Sequence, residues 1–165
     1  MIHEILTTNI NSKIILINGQ KLQVFEDGRV ERWFKGRYFR LVKHTGNTNN
    51  GYNVIDCNRK GYMRHRIIGF AFLGLDIDDL TLQIDHKNGN KLNNNVSNLR
   101  IVSNQENQWN RTTAKGYSWK TQHQKYRAYI AVNLQQVHLG YYDTELEAHN
   151  AYLEAKTKLH IIPER

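Results

Sequence analysis

With 165 residues, a formal charge of +8 and a sequence pI of about 9.6, the chain has room for one sizeable core or two to three small modules, and its charge favours a polyanionic partner, nucleic acid before membrane. Its single cysteine, Cys57, excludes an intrachain disulfide and a Cys-based structural zinc site, and is expected to be a packed small side chain rather than a nucleophile. No apolar run approaches a spanning helix and residues 1–20 lack the pattern of a secretory signal, so a soluble, intracellular protein is expected, with no membrane partner.

The charge is unevenly placed. Residues 1–75 carry 12 Lys/Arg against 5 Asp/Glu, residues 76–112 carry 4 against 5, and residues 113–165 carry 7 against 5. Basic flanks around a slightly acidic middle would suit a chain whose ends bind phosphate and whose centre holds a cation.

In chain order, residues 13–17, 21–26 and 29–34 are rich in β-branched and aromatic side chains and are separated by Asn18-Gly19 and Asp27-Gly28, the strongest short-range hairpin signals. Further strands are predicted at 37–43 and 52–56, with an Asn- and Gly-rich loop at 44–51 between them. Arg29, Arg32, Lys35, Arg37 and Arg40 interleave with aromatics, a mixture suited to a sheet lying along a phosphate backbone; a solvated basic face is the alternative for any one of them. Residues 64–73 change to helical spacing, with Ile67, Ile68, Ala71 and Phe72 on one side. Arg64 and Arg66 join the DNA-binding set, and His65 is either an auxiliary metal or phosphate group or a structural histidine. Asp76, Asp78 and Asp79 read as a solvated loop, with a second metal site as the weaker alternative.

The centre of the chain is LQIDHKNGNKLNNNVSNLRIVSNQENQWN, residues 82–110. Leu82 and Ile84 alternate with polar residues in a strand that ends in Asp85-His86. After the loop, residues 99–103 make the partner strand, and Ser103-x-x-Glu106 has the form of a capping box that starts a helix to about Asn110. A ββα unit of this kind brings a carboxylate, an imidazole and a carboxamide into one cleft. Those groups suit phosphodiester hydrolysis. One hard divalent cation would take oxygen from Asp85 and Asn107, His86 would deprotonate the attacking water, and Asn98 would brace the loop so that His86 points at it.

These residues resemble the HNH motif of phage and intron-encoded homing endonucleases: Asp85-His86, then Asn98, then Asn107, within DHKNGNKLNNNVSNLRIVS. The resemblance implies that Asp85 and Asn107 bind the metal, that His86 is the general base and that Asn98 stabilises the loop. Many members of that family have histidine where Asn107 stands. A neutral carboxamide is a hard ligand that favours Mg²⁺ or Mn²⁺ over zinc or nickel, and Asn104 or Asn110 would complete the site under a different helix register.

Beyond the polar connector at 111–115, strands are predicted at 117–120, 125–132 and 137–142. Thr144-x-x-Glu147 then caps a helix that carries Ala148, Ala151, Tyr152, Ala155 and Leu159 on one side. Lys125, Arg127 and Tyr129 alternate with Tyr126, Ala128, Ile130 and Val132, so a sheet packed on this helix would offer Trp119, Lys120, Lys125, Arg127 and Tyr129 to a ligand. Trp119 taken alone could equally be core. The stretches KGYSWKTQHQKYRAYI and HLGYYDTELEAHNAY resemble the DNA-binding domain of plant ethylene-response factors, which implies a sheet set into the major groove.

The expected architecture is α+β, in three small modules: a β-rich DNA-binding region over 1–75, a ββα-metal nuclease core over 76–112, and a three-stranded sheet on one helix over 113–165. The expected function is site-specific cleavage of double-stranded DNA with one Mg²⁺ or Mn²⁺, nicking one strand per active site as a monomer on DNA, with a dimer as the alternative state. A DNA-binding regulator with an inactive core, and a nuclease for RNA or single strands, are the competing readings.

Overall fold

The computed structural model describes residues 3–9, 11–42, 50–109, 114–133 and 135–161. The loop at 44–51 and the connector at 111–115 lie largely outside the described residues, and Asn110 wholly so. The fold is α+β, with antiparallel sheets and short helices. It separates into two units, the first running to Ser103 and the second beginning at Asn104.

In the first unit, β1 (His3–Asn9), β2 (Ser12–Ile17), β3 (Gln20–Phe25), β4 (Val30–Phe34) and β5 (Tyr38–Leu41) form one antiparallel meander in that order. Asn18 and Gly19 turn between β2 and β3 with both φ angles positive, 48° and 74°, the two-residue geometry whose twist matches the strands it joins. β1 was not expected from the sequence. Apart from half-buried His3 its side chains are exposed, so it carries little of the hydrophobic pattern by which strands are recognised. The hairpin of β6 (Val54–Cys57) and β7 (Lys60–Met63) turns at Asn58-Arg59 with positive φ at both residues and no glycine, which is why β7 left no signal.

The predicted helix over 64–73 is present but changes its winding. α1 spans Arg64–Ile68 and a π-helical turn continues over Gly69–Leu73, ending at Gly74 with φ 76°. At Gly69 the helix backbone runs so close to Ile84 that a Cβ would sit 2.6 Å from its Cδ1, so absence of a side chain there lets the helix lie against the next strand. That strand, β8 (Leu82–His86), pairs with β9 (Leu99–Ser103).

One apolar core runs through the unit: Ile15, Ile17, Leu22, Val24 and Val30 from the meander, Ile67, Ile68 and Ala71 from the helix, and Ile77, Ile84 and Leu99 from the segment that follows. Residues on both sides of position 75 therefore share a core. Cys57 is buried in it, and burial pushes its thiol up to about 11, so it is protonated and unreactive at neutral pH.

Arg64 is fully buried in this core and works as a polar strut. Its Nε donates to Asn53 Oδ1 (2.7 Å), one terminal nitrogen to Gly28 O (3.2 Å) and the other to Val42 O (2.9 Å), joining the β3–β4 turn, the end of β5 and the residue that precedes Val54. Gly28 also lies against the loop between β8 and β9. With φ 90°, a Cβ there would stand 2.7 Å from the carbonyl carbon and oxygen of Asn94, and beside it Val96 N donates to Glu26 O (2.8 Å). The turn is thus a buttress for that loop. Gly28→Ala is expected to destabilise the unit by about 1–3 kcal/mol, read as a lowered urea midpoint.

The second unit holds α2 (Asn104–Trp109), an antiparallel sheet of β10 (Tyr117–Lys120), β11 (Lys125–Val132) and β12 (Gln135–Tyr142), and α3 (Glu145–Leu159). Thr144 and Glu147 form a reciprocal capping box at the start of α3: Glu147 N donates to Thr144 Oγ1 (3.2 Å) and Thr144 N to Glu147 Oε2 (3.1 Å). α3 packs on β11, with Ala148 and Tyr152 of the helix and Ala128 and Ile130 of the strand buried, and Trp109 stacks on His160 with ring centroids 4.7 Å apart, tying the ends of α2 and α3 together. No helix among the described residues is long and apolar enough to cross a membrane.

Candidate functional site

The β8–β9 ladder pairs Asp85 with Arg100 and His86 with Leu99. Directly opposed residues share a face, so the register places a guanidinium beside the Asp85 carboxylate. Arg100 Nε (2.9 Å) and Nη2 (2.8 Å) both donate to Asp85 Oδ2, and both residues are largely buried. Arg100 was missed by sequence reasoning, although the hairpin register carried the signal: counting back from the strand ends sets it across from Asp85.

His86 is buried at the end of β8. Its Nε2 lies 3.2 Å from Asn94 Oδ1, and its ring packs against His65 (centroids 5.2 Å apart, nearly perpendicular) and Tyr52 (6.0 Å). Burial holds its pKa below the ordinary histidine value, partly offset by the Asn94 hydrogen bond and the Asp85 charge, so the imidazole is neutral at pH 7 and able to accept a proton.

Between β8 and β9 the chain closes a loop with its own asparagines. Asn98 bridges it: Asn88 N donates to Asn98 Oδ1 (3.1 Å), Asn98 Nδ2 donates to Asn93 O (2.8 Å), and Lys87 N donates to Asn98 O (2.8 Å). Asn88, Asn90, Asn93 and Asn95 each accept from the backbone N–H two residues on, the local turn chemistry of this residue type. The asparagine run is therefore mostly scaffold for a tight loop that begins at His86.

His65, which sequence reasoning left between auxiliary and structural roles, is buried beside His86, and its Nδ1 has no hydrogen-bond partner among the described residues. Burial, with His86 and Arg66 nearby, lowers its pKa to about 3. An unfolded chain takes up this proton below about pH 6.5, so between 6.5 and 3 the unfolded state binds more protons and stability falls as pH drops. From His65 alone the unit is expected to be about 2 kcal/mol less stable at pH 5 than at pH 7. Urea melts of the wild type and His65→Gln at the two pH values check this, the variant showing the weaker dependence.

The basic residues expected on a DNA surface are not gathered on one face. Arg64 is corrected to a structural role by its complete burial. Arg66 is half-buried, its guanidinium donating to the carbonyls of Leu82 (2.9 Å), Ile77 (3.0 Å) and Asp76 (3.3 Å), where it ties down the acidic loop before β8. Arg32 donates to Asp56 O, and Arg29 lies over the Phe25 ring (3.8 Å) while remaining exposed. Lys35 and Arg37 are exposed at the β4–β5 turn and Arg40 is exposed on β5.

In the second unit, the register pairs Lys120 with Lys125, Arg127 with Tyr141, and Tyr129 with His138, on the face turned away from α3. Arg127 Nε donates to His138 Nδ1 (3.3 Å), and Tyr141 packs against His138 and His123. Trp119 pairs with Tyr126 on the opposite face, packs edge-on against it at 4.8 Å and remains 49% exposed. Asn107 stands on α2, in the second unit.

Comparison with known proteins bears on the first of these sites. Residues 62–109 match the family model described as HNH endonuclease. The matched segment runs from the end of β7 to the end of α2 and contains Asp85, His86, Asn94, Asn98, Arg100 and Asn107. The chain is also similar to a solved structure described as "DNA binding and cleavage by the HNH homing endonuclease I-HmuI", at 31% identity, covering 54% of this chain and 50% of that one, with a TM-score of 0.42. It thus matches half the length of that protein. The comparison with curated proteins found no match.

Proposed function

We propose that this chain is a DNA endonuclease that hydrolyses a phosphodiester of double-stranded DNA with the HNH segment as its active site. The observation that carries this reading is the buried, neutral His86, held by its ring contacts and by Asn94 beside Asp85 at the mouth of an asparagine-braced loop, inside the matched segment. A merely structural hairpin has no need of a buried imidazole poised to take a proton.

In the reaction, a water attacks phosphorus and gives its proton to the His86 imidazole. The bond from phosphorus to the 3′ oxygen breaks, the electron pair stays on that oxygen, and solvent protonates it, leaving 5′-phosphate and 3′-hydroxyl ends. The donors available for a metal are the Asp85 carboxylate and the Asn107 carboxamide, a pairing taken from their spacing in the sequence. Both are hard oxygen ligands. No group of three or more His, Cys, Asp or Glu side chains among the described residues could hold a metal ion, so water and substrate would complete the sphere, as suits Mg²⁺ or Mn²⁺. A divalent cation bound there supplies Lewis-acid stabilisation of the charge that develops on the phosphate and leaving oxygens. Asn98 keeps the loop that follows His86 closed.

Lys35, Arg37 and Arg40 on the β4–β5 hairpin, with exposed Arg29, are proposed to hold phosphates in the first unit. Lys120, Lys125, Arg127 and Tyr129 are proposed to form the corresponding surface of the second, in keeping with its resemblance to ethylene-response-factor domains. One active site per chain nicks one strand, and the protein works as a monomer on intracellular DNA. The Asp85–Arg100 pair favours one competing reading, a DNA-binding protein with an inactive core, because a guanidinium already neutralises the carboxylate.

Supercoiled plasmid separates the two. Incubation with Mg²⁺ is expected to give nicked circles, with none in excess chelator and none for Asp85→Ala. Duplex binding without cleavage in Mg²⁺ or Mn²⁺ would support the inactive core, and cleavage confined to RNA or single-stranded DNA would overturn the choice of substrate.

A further inference from the structure

We propose that Asn94 is a positioning residue that sets the tautomer of His86, placing the ring proton on Nε2 and the basic lone pair on Nδ1. This rests on the reading of His86 as the proton acceptor and adds which nitrogen accepts and what enforces it. Three observations carry it.

The first is the direction of the Asn94 amide. Its Nδ2 donates to Leu92 O (3.1 Å), so the other end of the carboxamide, Oδ1, is the end that meets His86 Nε2 at 3.2 Å. A carboxamide oxygen only accepts, and a neutral imidazole has one N–H, so that N–H must be on Nε2. The opposite tautomer would set two lone pairs against each other in a buried place. The second observation is burial: His86 and Asn94 are 4% and 3% exposed, so water cannot substitute for the bond and the preference is enforced.

The third is that Asn94 is itself held. Asn94 N donates to Leu92 O (3.2 Å), Asn93 O accepts from Asn98 Nδ2 (2.8 Å), and the Gly28 turn lies flat against the Asn94 backbone. Asn98, the loop-bracing residue singled out from the sequence, thus acts on His86 through its neighbour. Chemically, the water proton arrives on Nδ1 and makes an imidazolium whose Nε2–H then donates to Asn94 Oδ1. That bond becomes charge-assisted as the reaction proceeds, so Asn94 stabilises the charged form as well as aligning the neutral one.

Long-range ¹H–¹⁵N correlation spectra of the imidazoles, with His86 assigned by difference against His86→Gln, read the tautomer without DNA or metal. The wild type is expected to show the proton on Nε2. Asn94→Ala is expected to lose that preference and to cleave plasmid about 10–100-fold more slowly in kcat, with KM little changed. Asn94→Asp, which keeps an acceptor oxygen at that place, is expected to restore the Nε2–H signature and most of the rate. A wild-type proton on Nδ1 would overturn the proposal, and so would an unchanged signature in Asn94→Ala. The wild-type spectrum decides the tautomer even if a variant folds poorly. Full cleavage by His86→Gln would instead overturn the endonuclease mechanism, while the tautomer stayed readable.

Discussion

His86→Ala is expected to lower the rate of DNA cleavage by about 10²–10⁴-fold, the contribution of a well-placed general base, while binding of duplex DNA is retained. The loss falls on the chemical step because His86 is buried behind Tyr52 and His65 rather than presented on a surface, so it adds little to holding the duplex. Burial also holds the His86 pKa below the ordinary histidine value, which favours the neutral ring that can accept a proton. Removing a buried ring leaves a cavity and strands Asn94 Oδ1, so His86→Gln is the companion that keeps polar volume. Both variants should shift duplex in gels at wild-type concentrations and differ from wild type under single-turnover conditions with saturating enzyme. Wild-type cleavage by either would exclude His86 as the base.

Arg100→Ala is expected to destabilise the first unit by about 3 kcal/mol, toward the low end of the cost of breaking a buried ion pair. Asp85 and Arg100 have side-chain exposures of 7% and 16%, so removing the guanidinium leaves a carboxylate with little water to replace two hydrogen bonds, while the residual exposure of Arg100 keeps the cost from being higher. Because both bonds fall on Oδ2, the guanidinium also orients the carboxylate. A divalent cation bound at Asp85 would take over part of the neutralising role, so the deficit in urea melts should be smaller in Mn²⁺ than in chelator. An equal deficit in both would argue against Asp85 as a ligand. Arg100→Lys, with one charge but no fork, is expected to fall between wild type and alanine in stability.

The local features were legible because local chemistry carries them. Asn18-Gly19 announced a turn, Thr144-x-x-Glu147 a helix start, and the alternation of Tyr126, Ala128 and Ile130 a strand with a buried face; each is decided within a few residues. The π-helical turn at Gly69–Leu73 was not legible, since Gly69 is demanded by Ile84, a residue of another element. The same limit hid Arg64 and Arg66. At the start of a helix they were grouped with the surface cations, and only packing shows their guanidinium groups committed to backbone carbonyls. Trp119 neighbours Lys120 but faces the other way, since adjacent strand residues alternate between the two sides of a sheet.

By itself the sequence determined the basic charge, the α+β class and most strands, and it singled out Asp85, His86, Asn98 and Asn107 as candidates, because charge, hydrophobic period and motif spacing are properties of the linear chain. Tertiary structure decided what surrounds that constellation. Cross-strand register brought Arg100 to Asp85, and the loop fold aimed one asparagine out of a run, Asn94, at His86. The β3–β4 turn came to rest against Asn94 through a glycine, and one core joined the meander to the hairpin. Each of these depends on how the chain closes in three dimensions, where burial converts an ordinary polar side chain into a fixed partner.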